Sequence, residues 1–555
     1  MSQDSPPIQI NYKLKTALVI DDYPSMRSAF RMALAAFGLT KVDMAATGPE
    51  AVGRVKNSHY DIIICDYNLG DGRDGQQVLE EMRYLGLIGL DTAFLMVTAE
   101  SVYERVVAAA ELAPDDYLIK PFNADIMRSR LDAILAKKEV FSGIYRSFAD
   151  GDWEEAVQGC NALIAAKSKY LVDAMRLKSE ILVAAGRFDE AGVLYEQIVK
   201  MRAVPWARLG LARTLHMRSK SADAEPMLLD LVEKHPELVS GYDLLADVQL
   251  AQNKMQDAQE SLNQAVTTSP KSILRQRKLG TVAYQNGDLD AAKTAFDATV
   301  TKGRNSIFLQ PHDFANLTRV YIEQDNPTEA LRVLQDNRKL LQDSNEGRLV
   351  AAVMGGLAHG RSGNESEANR LAGEAVKLRE RGATGQPELL LDMAGNCLKA
   401  GMNEQAAQLV GEVARNAHDS EELINKAKQL YEQAGRGEEA EGVIRQATQN
   451  VQRLSKEGAL LAQRGDLVNA TRILAQAAEE APRNPRVLMN AAWVAMRLIE
   501  QDPRGFPIGR VKILIDDAAF LAPDHPRLAG LRTKLREIDP APQSAAGKYK
   551  PTGKG

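Results

Sequence analysis

From Thr16 to about Lys138, short apolar runs alternate with amphipathic stretches. "TALVI" precedes "PSMRSAFRMALAAFG", "KVDMAA" precedes "GPEAVGRVKN", and "YDIIIC" precedes "DGQQVLEEMRYLG". "TAFLMV" then precedes "SVYERVVAAAELA", and "DYLI" precedes "NADIMRSRLDAILAKK". The short runs are almost continuously apolar, as strands of a parallel sheet covered on both faces must be. Strands joined by helical crossovers predict a doubly wound (βα)5 domain.

After about residue 140 the strand pattern stops, and a helical pattern runs to about residue 538. A short turn, usually with Gly, recurs with Ala five residues later: "GDWEEA" at 151, "GRFDEA" at 186, "SKSADA" at 219, "NKMQDA" at 253 and "GDLDAA" at 287. "DNPTEA" at 325, "GNESEA" at 363, "GMNEQA" at 401, "GRGEEA" at 435 and "GDLVNA" at 465 continue it. The steps are 35, 33, 34, 34, 38, 38, 38, 34 and 30 residues. This region resembles the tetratricopeptide repeat, whose period is about 34. Leu245 and Ala246 before Ala258, Leu262, Ala265 and Pro270 after it, and Gly280 with Phe296 around Ala292 extend the match. The three steps of 38 call for an extra helical turn or longer loops. The resemblance implies an all-α superhelical solenoid of ten or eleven helix pairs. The helix around "HPRLAGLRTKLREI" would cap the stack, because a solenoid needs a polar terminal surface.

The expected division is a disordered N-terminus over 1–13, an α/β domain over 14–138, a repeat array over 139–538 and a disordered tail over 539–555. No Gly/Ser linker joins the two folded parts. The last α/β helix is therefore expected to run into the first repeat helix, coupling the domains mechanically.

Composition narrows the function classes. The chain is 45% hydrophobic and 26% charged, with a net charge of −5. That is no basic stripe, so neither nucleic-acid binding nor a DNA recognition helix is expected. Cys65, Cys160 and Cys397 are far apart and read as reduced thiols, and the seven histidines are scattered without metal-ligand spacing. No apolar run reaches the roughly 18 residues of a membrane span, and no signal peptide is visible. A cytoplasmic protein is expected.

Five polar residues fall at the C-terminal ends of the predicted strands. Asp21 and Asp22 follow the first, Asp66 the third, Thr98 the fourth and Lys120 the fifth. Ligands bind at that edge of an open α/β sheet. With the flavodoxin-like strand order 2-1-3-4-5, Asp21, Asp22 and Asp66 share one pocket. Three carboxylates so close repel, and hard oxygen ligands suit Mg2+. With the metal present, Asp66 is placed to attack a phosphoryl group, Mg2+ and Lys120 neutralising its oxygens. Taken singly, the residues have blander readings. Asp21 and Asp22 would be acids at a helix start, Thr98 a helix N-cap, Lys120 a surface lysine, Tyr117 a core aromatic and Cys65 a packed thiol.

The motifs "LVIDDYPSMR", "DIIICDYN", "MVTAE" and "DDYLIKPF" make residues 16–138 similar to the receiver domain of two-component response regulators, close to the bacterial single-domain chemotaxis type. The resemblance implies that Asp66 is the phosphoacceptor. It implies that Asp22 ligates Mg2+ directly and Asp21 through water, and that Asn68 offers a backbone carbonyl. Thr98 would bond the aspartyl phosphate, Lys120 would bridge to it, and Tyr117 would be the switch aromatic. One departure is Gly70, which stands where the family usually has proline, in a loop one residue longer before Asp74 and Gly75. That loop is expected to be more flexible.

The implied partners are a histidine kinase or phosphotransfer protein, and a protein or peptide in the repeat groove. Arg213, Asp247 and Arg277 occupy groove-facing positions without forming a regular carboxylate-binding set. A constitutive scaffold with a docking-only receiver is the alternative. No Walker loop or catalytic triad supports an enzyme.

Overall fold

The computed structural model describes residues 10–70, 74–99, 114–202, 204–304, 306–522, 525 and 527–539. The helix expected over 101–113, the first nine residues and the tail from 540 lie outside the described residues. β1 (Thr16–Ile20), β2 (Lys41–Ala45), β3 (Ile62–Asp66), β4 (Ala93–Ala99) and β5 (Asp116–Lys120) pair in parallel, in the order β2-β1-β3-β4-β5. The helices around the sheet are α1 (Pro24–Ala36), α2 (Gly48–Asn57), α3 (Gly75–Tyr84) and α4 (Ala124–Ala149).

Alternate strand residues feed two cores, because successive side chains leave opposite faces of a sheet. Ala17, Val19, Ile62, Ile64 and Leu95 pack with Phe30, Leu34 and Leu131 on one side. Leu18, Ile20, Ile63, Cys65 and Phe94 pack with Val52, Val78 and Leu79 on the other. Burial drives the Cys65 thiol well above its usual pKa, so it is a packed thiol, not a reactive one.

The N-terminal segment is ordered sooner than expected. Tyr12 is buried, stacks edge-on against Phe37 and donates to Asp132 Oδ1 at 2.8 Å. One aromatic with a partner for its hydroxyl is enough to anchor a polar stretch to a core.

α4 is continuous for 26 residues, about 39 Å at 1.5 Å per residue. Asn123 caps it by accepting from Ile126 N at 2.9 Å. Met127, Leu131, Ile134 and Leu135 sit in the sheet's core. Phe141 and Ile144 sit in the next one, with Ala156, Cys160 and Ile181. Between them Lys138 is buried and holds Asp115 Oδ1 at 2.8 Å and Leu90 O at 2.6 Å. One helix therefore belongs to two cores.

Contacts divide the chain into two compact units. The first is Met1–Val183 with Phe188–Arg275 and Lys302–Ile307; the second is Ala184–Arg187 with Gln276–Thr301 and Phe308–Gly555. Helix pairs follow the repeat signature, with one exception after residue 435. The opening residue of each signature is left-handed in all ten copies: Gly151, Gly186, Ser219, Asn253, Gly287, Asp325, Gly363, Gly401, Gly435 and Gly465. Glycine adopts that backbone without strain, and Asn or Asp tolerates it. The alanines five residues on are buried at 156, 191, 224, 258, 292, 330, 406, 440 and 470, and half-buried at 368. The longer steps are absorbed by the loop before Pro311, by a short extra helix, Arg338–Gln342, with the 17-residue helix Asn345–Arg361, and by the 16-residue helix Glu365–Glu380 with the loop before Pro387. The short step of 30 has a different outcome. Gly437–Gln463 is a single helix of 27 residues, because its stretch stays amphipathic with no proline to stop it. After Pro482 come Pro485–Gln501, Ile508–Leu521 and Arg527–Ile538. No helix among the described residues is long and apolar enough to cross a membrane.

Candidate functional site

Parallel pairing puts every strand's C-terminal end on one edge. Ile20 lies beside Cys65, Asp66 beside Val97, and Ala99 beside Lys120. Asp21, Asp22, Asp66, Thr98 and Lys120 therefore converge, although 99 residues of chain separate the first from the last. One oxygen from each of Asp21, Asp22 and Asp66 lies within 4.8 Å of the others. Lys120 Nζ is 2.9 Å from Asp66 Oδ2 and 3.7 Å from Asp21 Oδ2. Asp21 is fully buried, and Asp66 is 7% exposed.

The blander reading of the acids does not match this geometry. α1 starts at Pro24, its cap Tyr23 makes no side-chain capping bond, and no acid lies in its first turn. Asp21 Oδ1 instead accepts from Tyr23 N at 2.9 Å, and Arg27 Nη1 donates to the Asp21 carbonyl at 2.6 Å. Thr98 is a buried residue within β4, and its hydroxyl donates to Ala99 O at 3.4 Å. Tyr117 is half-buried on β5, packed against the core cluster that contains Cys65 and Met96. Asn68 is exposed two residues beyond Asp66.

Burial pushes the Asp66 carboxyl above its usual range; Lys120 pulls it down, and the Asp22 charge adds to the rise. Burial raises Asp21 too, with the Tyr23 N–H opposing and Asp66 adding. Among the described residues, Asp21 Oδ2 and Asp22 Oδ1 are buried without a hydrogen-bond partner. Orphaned buried carboxylate oxygens beside a third carboxylate are the donor set of a hard divalent cation. The residues present thus fit Mg2+.

The pKa directions set a pH test. Below the carboxylate range both folded and unfolded chains are protonated at Asp21 and Asp66. As pH rises past about 3.9 the unfolded chain ionises first. Stability from these two acids is therefore lost across the window up to their raised positions, and the metal-free pocket stays destabilised above it. A cation reverses this, and protons compete with it. Mg2+ is expected to raise the melting temperature at neutral pH, with a gain that shrinks as pH falls toward that window. In Asp21→Asn the gain should be largely lost; an equal gain there would show that the ion binds elsewhere.

Two features of the site were not anticipated from the sequence. Gly70 has φ +75°, which proline, locked near −65°, cannot adopt; the missing proline follows from the backbone path. Gly75 N donates to Tyr67 O at 2.8 Å. A Cβ on Gly75 would land on the Asp66 carbonyl oxygen and 2.9 Å from Met96 Sδ. The sequence signal was the "DG" pair, noted only as the end of the longer loop. Residues 71–73, the rest of the long loop, lie outside the described residues.

A five-stranded parallel sheet in this order, with three acids and a lysine at its C-terminal edge, defines a receiver-like α/β domain. The family model described as the response regulator receiver domain matches residues 17–132, and that segment is a receiver domain. Chemotaxis protein CheY-3 of Vibrio cholerae serotype O1 is 29% identical over 126 residues, 22% of this chain and 91% of that protein. Chemotaxis protein CheY of Pseudomonas aeruginosa is 26% identical over 126 residues, 22% of this chain and 95% of that protein. The solved structure of a tetratricopeptide repeat protein from Parabacteroides merdae is 16% identical. It covers 46% of this chain and 91% of its own, with a TM-score of 0.33. A receiver domain implies two-component response regulation.

Proposed function

We propose that the chain is a response regulator in a two-component phosphorelay, with a receiver over 14–138 and a repeat output over 139–538, working in the cytoplasm. Asp66 accepts a phosphoryl group from a histidine kinase or phosphotransfer protein. Its carboxylate oxygen attacks phosphorus in line, the donor's bond to phosphorus breaks, and the leaving group keeps the electron pair. Asp21, Asp22, Asp66 and the Asn68 carbonyl would hold Mg2+, which supplies charge neutralisation of the phosphoryl oxygens. Lys120 pairs with the same oxygens, Thr98 bonds the phosphoryl group, and Tyr117 responds as the switch aromatic. The modification then alters what the repeats bind.

The observation that carries this reading is Lys120 Nζ at 2.9 Å from an Asp66 carboxylate that also shares its pocket with two more acids. Such an arrangement is strained without a cation and is suited to an incoming phosphoryl group. The test is Mg2+ with acetyl phosphate and intact-mass detection. One phosphoryl group is expected on the wild type and none on Asp66→Asn. No gain on either would leave the constitutive scaffold as the better reading.

A further inference from the structure

Asp74 holds two partners on opposite sides. Its Oδ1 accepts from Gln77 N at 2.9 Å and Gln77 Oε1 accepts from Asp74 N at 3.0 Å, a reciprocal cap that starts α3. Its Oδ2 accepts from Lys271 Nζ at 2.9 Å, across 197 residues of sequence. Lys271 lies in the turn between the helices Met255–Thr268 and Ile273–Gln285. Its ammonium also stands 6.0 Å from the centre of the Tyr67 ring, one residue past Asp66. Lys302 Nζ steadies the turn by donating to Pro270 O at 2.8 Å.

The surrounding charges are complementary. Burial lowers Arg275 to about 10, and the Glu80 carboxylate on α3 opposes that fall. Burial raises Glu80, with Gln76 and Arg275 pulling it down and Asp74 adding to the rise. Arg275 is 3% exposed and is held by Asp243 through two bonds of 2.9 and 2.7 Å. For Lys271, burial works against the charge, but Asp74 outweighs it and its pKa rises. An acidic edge of the receiver thus meets a basic turn of the repeats, both within the first compact unit. The receiver side is tied to the phosphoacceptor strand, because Gly75, next to Asp74, is hydrogen-bonded to Tyr67 and packed on the Asp66 carbonyl.

We propose that Lys271 is a latch by which the chain's own repeats dock on Tyr67 and Asp74 beyond the phosphoacceptor strand, and that negative charge added at Asp66 tightens it. The docking stands by itself; the tightening rests on the phosphoacceptor reading above. The latch lets phosphorylation change which repeat surface is covered, and by linkage docking favours the phosphorylated receiver. Lys271 is 64% exposed, so solvent screens the pair and its effect is modest, about two- to five-fold.

The experiment is hydrogen exchange on the full chain, comparing wild type, Lys271→Ala, Asp74→Asn and the double variant. Asparagine keeps the helix cap while losing the charge, so Asp74→Asn does not depend on unfolding α3. Without phosphodonor, each single variant is expected to speed exchange about two- to five-fold in both 74–84 and 269–275, the double variant adding little. Unchanged exchange at 269–275 would overturn the latch, as would full additivity. With Mg2+ and acetyl phosphate, the wild type is expected to slow at 269–275 in proportion to its mass gain, and Lys271→Ala is not. A mass gain without slowing overturns the tightening. An absent mass gain overturns the phosphoacceptor reading, and with it the tightening, while the docking is judged by the variants alone.

Discussion

An Asp392→Ala chain is expected to lose about 3–5 kcal/mol of stability in its second unit. Arg319 is 8% exposed and donates through Nε and Nη2 to Asp392 Oδ2 at 2.9 and 2.6 Å. Lys426 Nζ stands 3.3 Å from the other carboxylate oxygen. Burial works to raise Asp392, yet the two cations hold its carboxyl below the usual range. Truncation leaves a buried guanidinium that cannot shed its charge, with Asn316 Oδ1, accepting from Nη1 at 2.8 Å, among its remaining partners. The double variant Arg319→Met/Asp392→Leu removes both charges and should return to about wild-type stability or above. Urea unfolding followed by helical circular dichroism measures both. A loss under about 1 kcal/mol for Asp392→Ala would mean that Arg319 reaches water once released.

Gly75→Ala is the second large effect, and its sign discriminates. Local propensity alone predicts a gain of up to about 1 kcal/mol, since Ala replaces Gly in the first turn of α3. The tertiary contact predicts a loss of about 1–3 kcal/mol, because the new methyl meets the Asp66 carbonyl and Met96 Sδ. Relief requires moving the segment that carries the acceptor. The rate of mass gain from acetyl phosphate should therefore drop by at least about ten-fold. Thermal melting and time-resolved intact mass read the two consequences separately. A stabilised variant with wild-type phosphorylation would disprove the close approach.

The contrast between these positions shows which parts of the site the sequence exposed. Asp21, Asp22, Asp66, Thr98 and Lys120 were legible because each follows or ends an apolar strand run. Parallel topology sends all such ends to one edge, so no packing detail was needed to collect them. Arg27 on the Asp21 carbonyl and Gly75 under Asp66 were not legible. Each depends on distances of a few ångströms between segments whose local pattern is ordinary. The repeat turns behaved differently again. Their left-handed backbone could be read where Gly occupies it, but at Ser219 and Asp325 only the period pointed to it. The fused helix Gly437–Gln463 escaped the repeat pattern, because a turn signature does not say whether the preceding helix has ended.

By itself, the chain's pattern of apolar and polar residues determined the five strands of a parallel sheet and most of the helix pairs. Those follow from periodicity and from short connections, which act over a few residues to a few tens. Only the tertiary structure decided that Lys271 meets Asp74 and that Arg319 meets Asp392. These partners lie 197 and 73 residues apart. Their meeting depends on the summed rotation and rise of several helix pairs, which no local pattern encodes.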